Sequence, residues 1–70
     1  MKAEDPKKKL VRAARHLYRR GLTPGSGGNL SLTEDGRIYI TPSGISFREL
    51  TPMDISIIDL GGNRISGPKP

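Results

Sequence analysis

The strongest constraint on the fold is one amphipathic segment near the N-terminus. Asp5-Pro6 predicts a helix start, because an aspartate N-cap followed by proline suits the first turn of a helix. Gly21 predicts the helix end, directly after two arginines that favour the negative end of the helix dipole. We therefore predict a helix over about residues 5–20. At about 100° per residue, its apolar side chains share one arc that must be buried: Leu10, Val11, Ala13, Ala14, Leu17 and Tyr18.

The opposite arc of this helix is basic. Eight of the 12 Lys and Arg residues precede Gly21, with two of the seven acidic residues, so this segment carries +6 and the rest of the chain −1. Clustered basic residues on one face are a feature of nucleic-acid-binding proteins. However, a platform of aromatic side chains for stacking bases is missing, so we favour a solvated surface. We interpret His16, within the basic arc, as a surface residue, because no second histidine completes a metal site.

The remainder predicts short strands separated by turns. We expect strands over about residues 29–33, 37–41, 55–60 and 64–66, where apolar side chains alternate or run together. Asp35-Gly36 predicts a tight hairpin between the first two strands. The third strand is apolar enough to be covered on both faces. Ser46 and Thr51 each predict the start of one capped helical turn. The fold class is therefore α/β: an N-terminal amphipathic helix followed by an antiparallel sheet of about four strands.

Length and composition limit how this fold can be stabilised. A chain of 70 residues buries only about 60% of the surface that its unfolded form exposes. It has no cysteine, so disulfides are excluded, and we expect oligomerisation or further chain to add stability. No run approaches the roughly 20 apolar residues of a membrane span, and no secretory signal is present. The sequence thus predicts a cytoplasmic protein with no membrane partner.

A glycine-rich stretch, Gly25 to Ser31, separates the helix from the first strand. Three glycines in four residues permit positive φ angles and let main-chain N–H groups converge on an anion. Asn29 adds an amide donor and Ser31 a hydroxyl. The alternative is a plain flexible connection, since clustered glycine and serine mark loops of many kinds. Thr41 to Gly44 offers the same choice between a second anion-binding turn and an ordinary turn that ends the hairpin.

Four segments in this order resemble the N-terminal part of the class II aldolase/adducin family. They are residues 21–31 (GLTPGSGGNLS), 40–44 (ITPSG), 50–55 (LTPMDI) and 67–70 (GPKP). The resemblance covers nearly the whole chain and identifies residues 1–70 as an N-terminal fragment of such a domain. It implies the opening part of a three-layer domain, in which helices flank a central antiparallel sheet.

The resemblance also implies a function. The family's enzymes are zinc-dependent lyases acting on sugar phosphates, such as fuculose-phosphate aldolase, and their epimerase and dehydratase relatives, usually tetramers. Matched position by position, Gly28, Asn29, Ser43 and Gly44 would bind the substrate phosphate. The family's paired serines, catalytic acid and zinc-binding histidines would follow Pro70. We therefore assign no catalytic or metal residue within this chain and expect it to be inactive alone.

Two alternatives to an enzyme stay open at this point. One is a non-catalytic, adducin-like interaction module or truncated remnant, which would add its helix and sheet edge to a partner. The other is a basic nucleic-acid-binding domain, for which affinity should fall steeply with salt.

Overall fold

The first element, α1, spans Pro6–Arg19 and begins where the sequence predicts. The computed structural model of the protein describes residues 4–22 and 29–68. The carboxylate of Asp5 accepts a hydrogen bond from the backbone N–H of Lys7 at 2.9 Å. Pro6 occupies the first helical position, where its missing N–H is not needed.

The C-terminal end of α1 is a Schellman motif. Gly21 has a φ of +68°, a conformation that favours glycine. Its N–H donates to the carbonyl of Tyr18, and the N–H of Leu22 donates to the carbonyl of Leu17, each at 3.0 Å. These two bonds satisfy carbonyl groups that the helix leaves free. Gly21 therefore ends the helix, as predicted.

Four short strands follow and form one sheet in chain order, with every neighbouring pair antiparallel. They are β1 (Ser31–Glu34), β2 (Arg37–Ile40), β3 (Ser56–Asp59) and β4 (Arg64–Ser66). The predicted fold class, a helix followed by an antiparallel sheet of four strands, is confirmed. No helix in the described part of the chain is long and apolar enough to cross a membrane.

The β1–β2 hairpin closes through Asp35 and Gly36. Their φ angles are +54° and +75°, so both central residues are left-handed, as a type I′ turn requires. This turn pairs Glu34 with Arg37 and sets the register of both strands. Leu32 then lies opposite Tyr39, and both side chains face α1.

The core lies between α1, one face of the sheet and the loop that joins β2 to β3. Among the described residues, seven buried apolar side chains form it: Leu10, Val11, Ala14, Tyr39, Phe47, Leu50 and Ile55. The buried stripe of α1 is narrower than predicted, because Ala13 is exposed and Leu17 is only half-buried. Lys9 extends from α1 to Glu34 on β1, with 2.6 Å between Nζ and Oε1. Since both side chains are about one-third exposed, this ion pair contributes little stability.

The loop between β2 and β3 contributes three core residues, Phe47, Leu50 and Ile55, and contains two consecutive turns. Ser46 begins the first turn and accepts a hydrogen bond from the N–H of Arg48 through its side chain. Thr51 caps the short 3-10 helix Pro52–Asp54, whose Asp54 carboxylate accepts from the N–H and the hydroxyl of Thr51. Both turns begin at the predicted residues. They place the fully buried side chain of Leu50 between them.

The third strand differs from its prediction in length and in burial. Ile57 packs against the core, whereas Ile58 lies opposite Ile38 on the other face, outside the core cluster. Leu60 falls beyond the strand and is 71% exposed. The strand ends at Asp59 because its carboxylate binds the N–H groups of the following turn.

Gly67 provides a test of how closely the end of β4 packs on β3. An added Cβ would lie 2.5 Å from the carbonyl oxygen of Ile55 and 2.8 Å from the Cα of Ser56. We expect Gly67→Ala to reduce the free energy of unfolding by about 2–5 kcal/mol, from backbone strain plus overpacking. Urea denaturation followed by far-UV circular dichroism measures the change.

Gly62→Ala is the matched control. Gly62 has a similar φ of +91°, but an added Cβ meets nothing within 4 Å. It should therefore lose only about 1–2 kcal/mol, the strain of a left-handed conformation. Equal losses for the two variants would show that the contact of Gly67 with β3 has no effect.

The hydrogen bonds of the turn after β3 should make the stability of the fold depend on pH. The pKa of the Asp59 carboxyl lies below its ordinary value of 3.8, chiefly because the backbone N–H and side-chain amide of Asn63 donate to the ionised form, with Gly61 adding another bond. This contribution to stability is present above pH 3.8 and is lost as the pH falls through the lower folded-state pKa. NMR titration of the Asp59 carboxyl carbon should show the lowered pKa. Asn63→Ala keeps the backbone N–H and removes only the side-chain donor, so it should raise this pKa part of the way towards 3.8. An unchanged pKa in that variant would contradict the contribution of the Asn63 side-chain amide and would leave the backbone N–H groups as the cause.

Candidate functional site

The predicted phosphate-binding residues lie partly within the described structure. Gly28 and most of the glycine-rich stretch fall outside the described residues. Asn29, Ser43 and Gly44 are described, and all three are exposed. Asn29 directly precedes the Leu30–Ser31 entry into β1, and Ser43 follows β2 by three residues.

A pair of hydrogen bonds joins the segments that carry these residues. The N–H of Leu30 donates to the Oγ1 of Thr41 at 2.9 Å, and the N–H of Thr41 donates to the carbonyl of Leu30 at 3.0 Å. These bonds continue the β1–β2 ladder beyond Ser31 and Ile40. As a result, Asn29 and the turn after Thr41 lie at the same end of the sheet.

The turn after β2 exposes its polar groups to solvent. Thr41 and Pro42 are buried and fix the start of the turn, whereas Ser43 and Gly44 lie on the surface. Gly44 has a φ of +84°, which a residue with a side chain rarely adopts. The exposed hydroxyl of Ser43 can donate one hydrogen bond, and Asn29 can donate two through its amide nitrogen. These donors suit the oxygens of an anion, and no Lys or Arg belongs to either segment.

Among residues 4–22 and 29–68, no group of three or more His, Cys, Asp or Glu side chains could hold a metal ion. His16 is exposed on α1, as predicted. At this end of the sheet, the described residues Asn29 and Ser43 provide neutral hydrogen-bond donors that can bind an anion.

Thr41 is the residue that the sequence analysis missed. Its side chain is only 1% exposed, and its hydroxyl accepts from the N–H that follows Asn29. From the sequence, we interpret Thr41 only as the first residue of a turn that ends the strand, and we give it no part in positioning Asn29. The pairing could have been found from the sequence. If Asp35-Gly36 forms a two-residue turn, counting back along β1 and forward along β2 places Leu30 opposite Thr41.

Comparison with known proteins now identifies the family. The Class II Aldolase and Adducin N-terminal domain matches residues 8–70. The L-fuculose phosphate aldolase of Methanococcus maripaludis is 48% identical over 58 residues, which are 83% of this chain and 32% of that protein. The 3-oxo-tetronate 4-phosphate decarboxylase of Haemophilus influenzae is 40% identical over 65 residues, or 91% of this chain and 31% of that protein.

A solved structure of an L-fuculose 1-phosphate aldolase superposes with a TM-score of 0.84 at 38% identity. The superposition covers 99% of this chain and 34% of that structure. The chain thus spans about a third of the length of these relatives, with its helix and four strands arranged as in that solved structure. It belongs to the class II aldolase and adducin N-terminal domain family.

Proposed function

We propose that this chain supplies the phosphate-binding part of a zinc-dependent class II aldolase-type lyase that acts on a sugar phosphate. Gly28, Asn29, Ser43 and Gly44 would bind the phosphate of the substrate. The observation that supports this most directly is the pair of Leu30–Thr41 hydrogen bonds, at 2.9 and 3.0 Å, which brings Asn29 and the Ser43–Gly44 turn to one end of the sheet.

The chemistry of the donors agrees with this proposal. A phosphate ester carries several strong acceptor oxygens, which neutral N–H and O–H donors can bind without a paired cation. One relative is named as an aldolase and the other as a decarboxylase, and both names specify a phosphate group. A shared phosphate site combined with different reactions is what we expect if this third of the fold binds the phosphate and the rest performs the reaction.

Zinc does not fit the residues of this chain. The sequence contains one histidine and no cysteine, and the described residues form no group able to hold a metal. We therefore place the zinc ligands and the catalytic acid in the part of the relatives' fold that this chain does not span. The same part would complete the homo-oligomer, which is usually a tetramer in the family. The proposed location of the enzyme is the cytoplasm.

A chimeric enzyme tests the assignment of the phosphate turns. This chain would replace the matching first third of the Methanococcus maripaludis aldolase, and cleavage of L-fuculose 1-phosphate would be measured. We expect an active chimera in which Asn29→Ala and Ser43→Ala each lower kcat/KM by about 10-fold or more, because each removes a hydrogen bond to a charged group. Most of the effect should appear in KM.

Ser66→Ala is the control for the chimera, since Ser66 is an exposed serine on β4, remote in sequence from both turns. It should leave kcat/KM within about twofold, as expected of a surface substitution. A folded chimera without activity would favour the non-catalytic alternative. An active chimera that tolerates both Asn29→Ala and Ser43→Ala would contradict the phosphate assignment.

Thr41 allows the positioning of Asn29 to be tested in the 70-residue chain. Thr41→Val keeps the shape of the side chain but leaves the N–H of Leu30 without its acceptor. We expect a loss of about 1–3 kcal/mol in the free energy of unfolding, measured by urea denaturation. Thr41→Ser retains the hydroxyl and should restore most of the hydrogen-bond contribution. If Val and Ser variants are equally stable, the Leu30–Thr41 bond does not hold the segment.

A further inference from the structure

A second cluster of polar groups lies on the flank of α1 and shares no residue with the proposed phosphate turns. Arg15, Arg19 and Arg48 line one surface concavity together with Tyr18. Arg15 and Arg19 are one helical turn apart on α1, and Arg48 comes from the loop between β2 and β3. Three guanidinium groups from two elements therefore surround one small space.

Arg15 is held in place by the fold. Its Nη2 donates to the carbonyl of Leu50 at 2.9 Å, which ties α1 to the loop that carries Arg48. A guanidinium has five N–H donors, so this bond leaves others for a ligand. Because the side chain is already ordered, less conformational entropy is lost when it binds.

The acidic side chains within the described residues form no ion pair with this cluster. The only ion pairs within residues 4–22 and 29–68 are Lys9–Glu34 and Arg12–Glu4. Three other carboxylates accept hydrogen bonds within caps and turns: Asp5, Asp54 and Asp59. Of the remaining two, Asp35 belongs to the hairpin turn and Glu49 is exposed beside Arg48 without pairing with it.

The basic surface continues into an adjoining groove. Arg15 and Arg19 also line a second concavity, whose other cationic residues are Lys8 and Arg12, beside Pro52 of the 3-10 helix. Repulsion among these like charges opposes their close arrangement, and a multivalent anion would relieve it. Guanidinium groups bind phosphate oxygens through two parallel N–H bonds, which gives such a site geometric selectivity.

We propose that Arg15, Arg19, Arg48 and Tyr18 form a binding site for a small anion that carries a phosphate or diphosphate group. The guanidinium groups bind the phosphate oxygens, and the hydroxyl of Tyr18 supplies a further donor. A small ligand is favoured over a nucleic acid. Among the described residues that line this concavity, Tyr18 is the only aromatic side chain, and one ring cannot form a platform for successive bases.

Calorimetric titration of the 70-residue chain with inorganic pyrophosphate in 0.1 M NaCl tests the site. At this ionic strength the Debye length is about 10 Å, so distant charges contribute little. We expect saturable one-site binding by the folded chain, weakened about tenfold in Arg48→Gln and in Arg19→Gln. Arg64→Gln, which removes the same charge from exposed β4, should stay within about twofold of the wild type.

Further measurements separate this site from the phosphate turns and from general charge attraction. The effect of Arg48→Gln should persist in an Asn29→Ala background, because the two proposed sites share no residue. Equal weakening by Arg64→Gln, binding that persists in 6 M urea, or no saturable binding would overturn the proposal. Tighter binding of an oligonucleotide that increases with its length, without saturable pyrophosphate binding, would replace it with the nucleic-acid alternative.

Discussion

The register of the β1–β2 hairpin determines most of what lies around it. Asp35 and Gly36 adopt the two left-handed conformations of a type I′ turn, and Glu34 then pairs with Arg37. A shift of one residue would turn Leu32 and Tyr39 away from α1, because side chains alternate between the faces of a strand. The same register places Leu30 opposite Thr41. One local turn therefore sets both the core contacts of two strands and the geometry at the far end of the sheet.

The small core makes its buried polar groups important. In the part of the chain that the structure describes, seven apolar residues form the core, and two polar residues, Thr41 and Ser56, are buried with it. Thr41 accepts from the N–H of Leu30, and the hydroxyl of Ser56 donates to the carbonyl of Pro68. An unsatisfied buried polar group costs about 1–3 kcal/mol, a large share of the stability of a short chain. These two bonds also fix the segments that flank β1 and β4.

The parts of the fold that depend on local chemistry could be predicted from the sequence. Asp5-Pro6 and Gly21 specify the helix through its caps, and Asp35-Gly36 specifies the hairpin through its φ angles. The predictions were less accurate where tertiary packing decides. Ala13 belongs to the apolar arc of α1 by angle, yet it is exposed because the sheet covers a narrower stripe. Leu60 is apolar, but the turn formed by Asp59 places it outside the strand.

The candidate sites also differ in whether they depend on local sequence or on tertiary packing. The proposed phosphate turns rest on glycine, asparagine and serine in sequence, because a neutral anion site can be built from short local segments, and this assignment stays a prediction. Predicting that Thr41 accepts a hydrogen bond from Leu30 requires the register of the hairpin, which can be obtained by counting along the two strands. The arginine concavity could not be predicted from the helix pattern alone, since Arg48 reaches it only through the packing of the β2–β3 loop on α1.

The two sites would recognise anions by different physical means. Asn29 and Ser43 offer neutral dipoles, whose interaction with a phosphate falls off over a short distance and depends on orientation. Arg15, Arg19 and Arg48 carry full charges, which act over roughly a Debye length and attract any multivalent anion. Neutral donors therefore suit a position where a substrate must be held in one orientation next to a reacting bond. Charged donors on an exposed flank can attract a multivalent anion from a distance and then bind its oxygens through paired N–H bonds. Because the two clusters share no residue, they need not compete for the same ligand.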